Sequence, residues 1–141
     1  MEIGKTILHY CEKHKKSLTP TRILIYNILK NSSKPKSAYE IQKQLNSNSK
    51  NLNISTIYRV IDFWIELGIV HKLASINKFL LCSKPEEEHI HMLNLCTKCE
   101  KVFETCDKAM GINFEKKNLL KDMVINSNYS IELPVLCSSC K

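Results

Sequence analysis

No apolar run in this chain approaches the roughly 20 residues that a membrane helix needs, and the N-terminus has no signal-peptide core. A membrane span and export are both unexpected on these grounds, and the protein is expected in the cytoplasm. There is no internal repeat beyond a doubled CxxC and no long low-complexity tract, only a short Asn/Ser loop around residues 47–50. Also missing is the His-x-Glu ahead of Pro-Cys-x-x-Cys that marks a zinc deaminase. The histidines here are His89-x-His91, and Leu95 and Leu136 precede the two CxxC pairs. The chain is read as a non-enzyme without a small-molecule substrate.

What is present is unevenly shared. The 141 residues suffice for one full core or two small ones, and the charge favours two. Residues 1–82 hold 13 Lys+Arg against 5 Asp+Glu, while residues 83–141 hold 8 against 9. The basic half suits a polyanion such as DNA, although a lysine-rich face can equally be one that is merely soluble. Seven cysteines would suggest disulfides in a secreted chain, but the number is odd and four form the pairs Cys96/Cys99 and Cys137/Cys140. In a reducing compartment that pattern favours zinc.

Along the basic half, helical spacing predicts a first helix over about Ile3 to Lys15 with Ile3, Ile7, Leu8 and Cys11 on one face. Thr19-Pro20 starts a second, the threonine capping and the proline sitting where no amide hydrogen is needed; Ile23, Tyr26, Ile28 and Leu29 form its buried side. Ser37 and Glu40 make a capping box for a short third helix that buries Ile41 and Leu45. Asn53 or Ser55 caps a fourth, which buries Ile57, Val60, Ile61, Trp64 and Ile65 and ends at Gly68. Thr56 and Arg59 occupy its first turn on another face, with Tyr58 beside them. Two β-rich runs, Ile69–Ala74 and Lys78–Cys82, read as a hairpin. Helices followed by a hairpin are the plan of a winged helix-turn-helix, whose recognition helix enters the major groove.

The acidic run at 84–88 breaks this pattern and reads as a linker. Beyond it, His91–Leu95 and Lys101–Glu104 look like strands flanking the first CxxC turn. A helix is expected from Asp107 to about Asp122, with Phe114, Leu119, Leu120 and Met123 on its buried side, and Val124–Leu133 is expected to be a strand. The fold class is therefore α+β. Cys96, Cys99, Cys137 and Cys140 supply four thiolates, enough for a closed tetrahedral zinc site of the structural kind. The 37 intervening residues can hold a helix and a strand, because loop length adds closure entropy slowly. Unpaired thiols or a redox pair would be the alternative, but neither CxxC opens a helix after a strand in a βαβ pattern.

His71, Cys82, His89, His91 and Glu104 remain. His71 and Cys82 fall on opposite arms of the hairpin near its base. His89 comes from the linker and Glu104 from the second half, so an ion bound by His71, Cys82, His89 and Glu104 would tie the halves together. His91 is the spare, either a substitute ligand or a solvated side chain, and Cys106 is expected to be silent.

Leu18-Thr-Pro-Thr-Arg22, Ser37-Ala-Tyr-Glu-Ile41, Ile54-Ser-Thr-Ile-Tyr-Arg59 and the two CxxC pairs together resemble the ferric uptake regulator family of bacterial metal-responsive repressors. The match runs through nearly the whole chain in order. Within the family, the stretch from His71 to Cys82 and the following histidine are most similar to the zinc uptake regulators. That resemblance implies a regulatory zinc on His71, Cys82, His89 and Glu104 beside the structural one, giving two Zn2+ per chain. It further implies a homodimer joined through its second domain and repressing zinc-uptake genes from an inverted-repeat operator on double-stranded DNA. The domains would be 1–83 for DNA binding, 84–90 as linker and 91–141 for dimerisation. Arg59 and Tyr58 would read bases beside Thr56, with Tyr39 and Arg22 near the backbone.

The departures are that Glu100 stands where the family usually has glycine after CxxC, that Val135 stands where glycine often precedes the last pair, and that the dense histidine cluster of iron and peroxide sensors is absent. A thiolate at Cys82 suits zinc better than ferrous or manganous ion. The rival readings are an iron, manganese or peroxide sensor of the same fold, and a zinc-ribbon nucleic-acid-binding module without regulation.

Overall fold

The computed structural model describes residues 4–85, 90–111 and 130–141. Helix α1 (Lys5–Lys13) buries Ile7 and Cys11, but Leu8, expected on that face, is 43% exposed. Helix α2 (Pro20–Lys30) begins where capping chemistry dictates, with the Arg22 amide donating to Thr19 Oγ1. It buries Ile25, Tyr26, Ile28 and Leu29, with Ile25 taking the inner place expected for Ile23, which is half-buried. Helix α3 (Ala38–Ser47) has the full capping box: Glu40 N donates to Ser37 Oγ at 3.1 Å, and Ser37 N donates to Glu40 Oε2 at 2.7 Å.

Helix α4 (Ile54–Glu66) starts at Asn53 without a side-chain cap. Its buried side is Ile57, Val60, Ile61, Phe63 and Trp64, while Ile65 is half-buried. Trp64 is wholly buried, with Tyr26 and Phe63 against its rings, and its indole N–H donates to the Arg22 carbonyl. The helix ends as a Schellman turn. Gly68 takes φ +71°, and the amides of Gly68 and Ile69 close back on the carbonyls of Ile65 and Trp64.

Strands β1 (Val70–Leu73) and β2 (Lys78–Leu81) form the expected antiparallel hairpin, with His71 opposite Leu80. The Cys82 amide extends the ladder to the Ile69 carbonyl. Lys36 and Phe79 exchange both backbone hydrogen bonds, which stitches β2 to the segment ahead of α3. Phe79 is buried in the same core as the four helices, so the hairpin is bonded and packed to the helical lobe.

The second lobe is a sheet of β3 (His91–Cys96), β4 (Val102–Cys106) and β5 (Ser130–Val135) in the order β4-β3-β5. β3 is antiparallel to β4 and parallel to β5. All six residues of β3 are buried, as befits a central strand covered on both faces. Leu93 lies opposite both Glu104 and Glu132, so these three side chains form one row on one face of the sheet. β5 runs two residues further than the strand expected over 124–133, and residues 124–129 of that expectation lie outside the described residues. Residues 107–111 are turns, and the rest of the helix expected after Asp107, including Phe114, Leu119, Leu120 and Met123, lies outside the described residues.

The chain's single tryptophan reports on the helical lobe. Ser37→Ala removes half of the capping box and is expected to cost about 1 kcal/mol, read as a lower denaturant midpoint in Trp64 fluorescence; an unchanged midpoint would mean that the box contributes nothing.

Candidate metal centres

The parallel pairing of β3 with β5 sets Cys96 beside Val135 and so brings the two CxxC turns together. Thr97 N donates to the Val135 carbonyl, and the turns close through Glu100 N to Cys96 O and Cys140 N to Cys137 O. Ligand atoms of Cys96, Cys99, Cys137 and Cys140 all lie within 4.8 Å of one another. Around a zinc with bonds of about 2.3 Å to sulfur, tetrahedral sulfurs stand about 3.8 Å apart; Cys99 Sγ and Cys137 Sγ stand 3.7 Å apart. The backbone amides of Cys137 and Cys99 hold the Cys96 thiol down at about 6. Hydrogen bonding to the Cys137 and Cys99 thiols pushes Cys140 up to about 12. The chemistry and spacing fit a structural zinc.

A second cluster lies where the hairpin meets the sheet. His71 shares a face with Leu80, its cross-strand partner, and Cys82 is two residues further along that same face. On the sheet, Glu104 and Cys106 face the same way, and Cys106 pairs with His91. These patterns bring His71, Cys82, His91 and Glu104 together, again with ligand atoms within 4.8 Å. Glu104 Oε1 accepts from His91 Nδ1 at 2.6 Å, His71 Nε2 at 3.2 Å and the Cys82 thiol at 3.4 Å, while Oε2 accepts from the Ser83 amide at 2.9 Å. The imidazoles pack 4.5 Å apart, and Cys82 Sγ is 3.7 Å from His91 Nδ1.

The Glu104 side chain is only 8% exposed. Burial pushes its carboxyl up, but the hydrogen bonds from His71, His91 and the Ser83 amide outweigh this and hold it well below the usual carboxylate range. Nitrogen and oxygen ligands of a tetrahedral zinc stand about 3.3–3.4 Å apart, so most edges need little adjustment and the short His91–Glu104 edge must open. Three hydrogen-bond donors converge on one carboxylate oxygen, and a cation can take the place of their protons. The site fits a metal ion of zinc's preferences.

His89, expected as the fourth ligand, lies outside the described residues. Among the described residues, His91, the spare of the sequence reading, joins His71 in the cluster. The register that pairs His91 with Cys106 places it on the face of Glu104, which spacing alone does not give, since alternation puts residues 89 and 91 on one face of a strand. Cys106 borders the cluster, and Ala109 N donates to its sulfur.

The residues expected at DNA occupy the opposite lobe. Along α4, Ser55, Arg59, Asp62 and Glu66 are exposed, so the first turns suit a polyanion and the last does not. Thr56 is half-buried, and Tyr58 is half-buried with its ring edge-on to Phe79. Tyr39 is 63% exposed at the start of α3. Arg22 is engaged internally: its guanidinium lies 3.6 Å from the centre of the Phe63 ring and donates to the Ser17 carbonyl at 2.6 Å.

Comparison with known proteins identifies the family. The profile of the ferric uptake regulator family matches residues 13–132. The zinc uptake regulation protein of Escherichia coli (strain K12) is 29% identical over 132 residues, covering 92% of this chain and 76% of the relative. Among solved structures, a zinc uptake regulator complexed with zinc and DNA matches with a TM-score of 0.75 at 26% identity, covering 96% of this chain and 90% of that one. Holo XcZur matches with a TM-score of 0.72 at 26% identity over 96% of this chain and 94% of that one, and the apo form of the same relative with 0.56 at 24% identity over 96% and 93%. With the profile spanning most of its length, the chain belongs to the ferric uptake regulator family, whose members are transcription regulators and not enzymes.

Proposed function

We propose that this chain is a zinc-activated repressor of zinc-uptake genes, acting in the cytoplasm as a homodimer on an inverted-repeat operator. The observation that carries the reading is the convergence of His71 and Cys82 from the hairpin with His91 and Glu104 from the sheet. On this reading residues 1–83 bind DNA, 84–90 link, and 91–141 dimerise. Cys96, Cys99, Cys137 and Cys140 hold one structural zinc, and His71, Cys82, His91 and Glu104 hold one regulatory zinc. His91 takes the place that the resemblance gave to His89. The thiolate of Cys82 favours zinc over the harder ferrous and manganous ions. The likeness to a zinc uptake regulator complexed with zinc and DNA supports both the metal and the nucleic acid.

Zinc at the joint would supply one tetrahedral tie between hairpin and sheet. The chain supplies the transmission. The hairpin is bonded to the segment ahead of α3 and packs in the core with α4, so fixing it on the sheet fixes the direction of α4 and of Arg59. In a dimer, two such helices would meet half-sites about 34–36 Å apart. A metal drives this only by its differential affinity for the arrangement in which all four ligands meet.

Arg59→Ala is expected to weaken operator binding by roughly 1–3 kcal/mol and to spare dimerisation; an unchanged affinity removes Arg59 from the reader role. Cys82→Ser should leave a folded protein that keeps its structural zinc but gains no operator affinity when zinc is added, and retention of a normal zinc response would count against the joint as the switch. Cys96→Ser should instead unfold the second lobe, since structural zinc contributes roughly 10–16 kcal/mol in small zinc folds. The two histidines separate cleanly: His91→Ala should abolish the zinc response and His89→Ala should retain it, the reverse result assigning the ligand to His89.

A further inference from the structure

The tip of the hairpin is not presented to solvent donors-first, as a wing reaching for phosphates would be. Ala74 N and Ser75 Oγ each donate to the Glu132 carboxylate at 2.5 Å, and Ser75 N adds a longer bond at 3.4 Å. Glu132 belongs to β5, and its place in the sheet gives the contact meaning. The row Glu104, Leu93, Glu132 crosses the three strands on one face, and Leu93 between the two carboxylates is wholly buried. Adjacent strands lie about 4.8 Å apart, so the carboxylates are rooted about 10 Å from each other. Glu104 engages the base of the hairpin at His71, Cys82 and Ser83, and Glu132 engages its tip. The hairpin lies across the sheet, held at both ends by acidic side chains of one row.

A third carboxylate reinforces the contact. Glu100 Oε2 lies 2.7 Å from Lys78 Nζ on β2, and the same ammonium is 3.7 Å from Glu40 Oε1 of the capping box. Glu100 adopts φ +59°, a left-handed conformation that glycine takes without strain. A glutamate occupies that position here, and its carboxylate reaches the other lobe.

We propose that Glu132 is a positioning residue for the metal site at the joint, a latch on the hairpin tip that needs no metal, holding His71 and Cys82 over His91 and Glu104, with Glu100 and Lys78 as a weaker second latch. This rests on the reading of the joint as the zinc switch. The latch sets how much zinc the switch requires, because a site that is preassembled for only a fraction of the time binds its ion more weakly by that fraction. It does so without touching the metal or the DNA-reading residues.

The test uses the full-length protein with its four-thiolate site filled. Operator binding is followed across buffered free zinc for wild type, Glu132→Ala, Glu132→Gln and Ser75→Ala, and zinc affinity at the joint is measured by chelator competition. For Glu132→Ala the half-response should move to about tenfold higher free zinc, as loss of charge-assisted hydrogen bonds implies, with operator affinity at saturating zinc unchanged. Glu132→Gln should restore part of the shift. Ser75→Ala, which leaves the sheet intact, should move the half-response less in the same direction. An unchanged half-response in both alanine variants overturns the latch and leaves the zinc reading standing. An equal loss of operator affinity at every zinc level also overturns it, making Glu132 a support for DNA binding alone. A wild type whose operator binding ignores zinc overturns the zinc reading itself and the latch with it.

Discussion

The two lobes of this protein meet at the carboxylate of Glu104. A buried carboxylate is costly unless its oxygens are satisfied, and here the donors come from both lobes: His71 from one arm of the hairpin, Cys82 and Ser83 from the end of the other, and His91 from the adjacent strand. Separating the lobes would strip that charge of most of its partners. Three of those donors, His71, Cys82 and His91, carry atoms that could ligate a metal ion together with Glu104, so the group that most needs the lobes together is also the one through which a cation could hold them there. On the proposed reading, stability and responsiveness would share one set of atoms.

The rest of the fold makes that contact consequential. The four-thiolate cluster closes the end of the sheet, with Cys96 the last residue of β3 and Cys99 leading into β4. That anchorage bears on the strands that carry His91 and Glu104. On the other side, the paired backbone bonds between Lys36 and Phe79 and the burial of Phe79 join the hairpin to the helices. Movement of hairpin against sheet is then movement of α4 against the second lobe. A rigid unit on each side of one polar joint is the arrangement in which a few bonds can decide an orientation.

What was legible in the sequence was local chemistry. The Ser37–Glu40 box, the Thr19-Pro20 start and the Gly68 stop depend on residues three or four apart, and all stand where spacing puts them. The CxxC pairs were legible because thiolates at that spacing have few other uses. The hairpin placed His71 and Cys82 together through strand register. Where periodicity was ambiguous the reading slipped: in the run Ile23-Leu24-Ile25-Tyr26 any of several residues can face inward, and Ile25 does. The choice between His89 and His91 turns on where β3 begins, and a His-x-His pair alone does not say. Glu132 had no signature at all, since its partners are turn amides and a hydroxyl 57 and 58 residues away. Glu100 was visible only as an odd residue where glycine is usual, and the positive φ there gives the physical reason for that preference.

The central claim is that a zinc ion shared by hairpin and sheet governs how the helical lobe faces DNA. It is tested most directly by measuring operator affinity across buffered free zinc, ferrous and manganous ion while the metal content of each chain is counted. The account predicts tight binding only as the second zinc fills, with no comparable gain from iron or manganese at their buffered levels. Full affinity with the four-thiolate site alone occupied, or activation by iron or manganese in place of zinc, would contradict it.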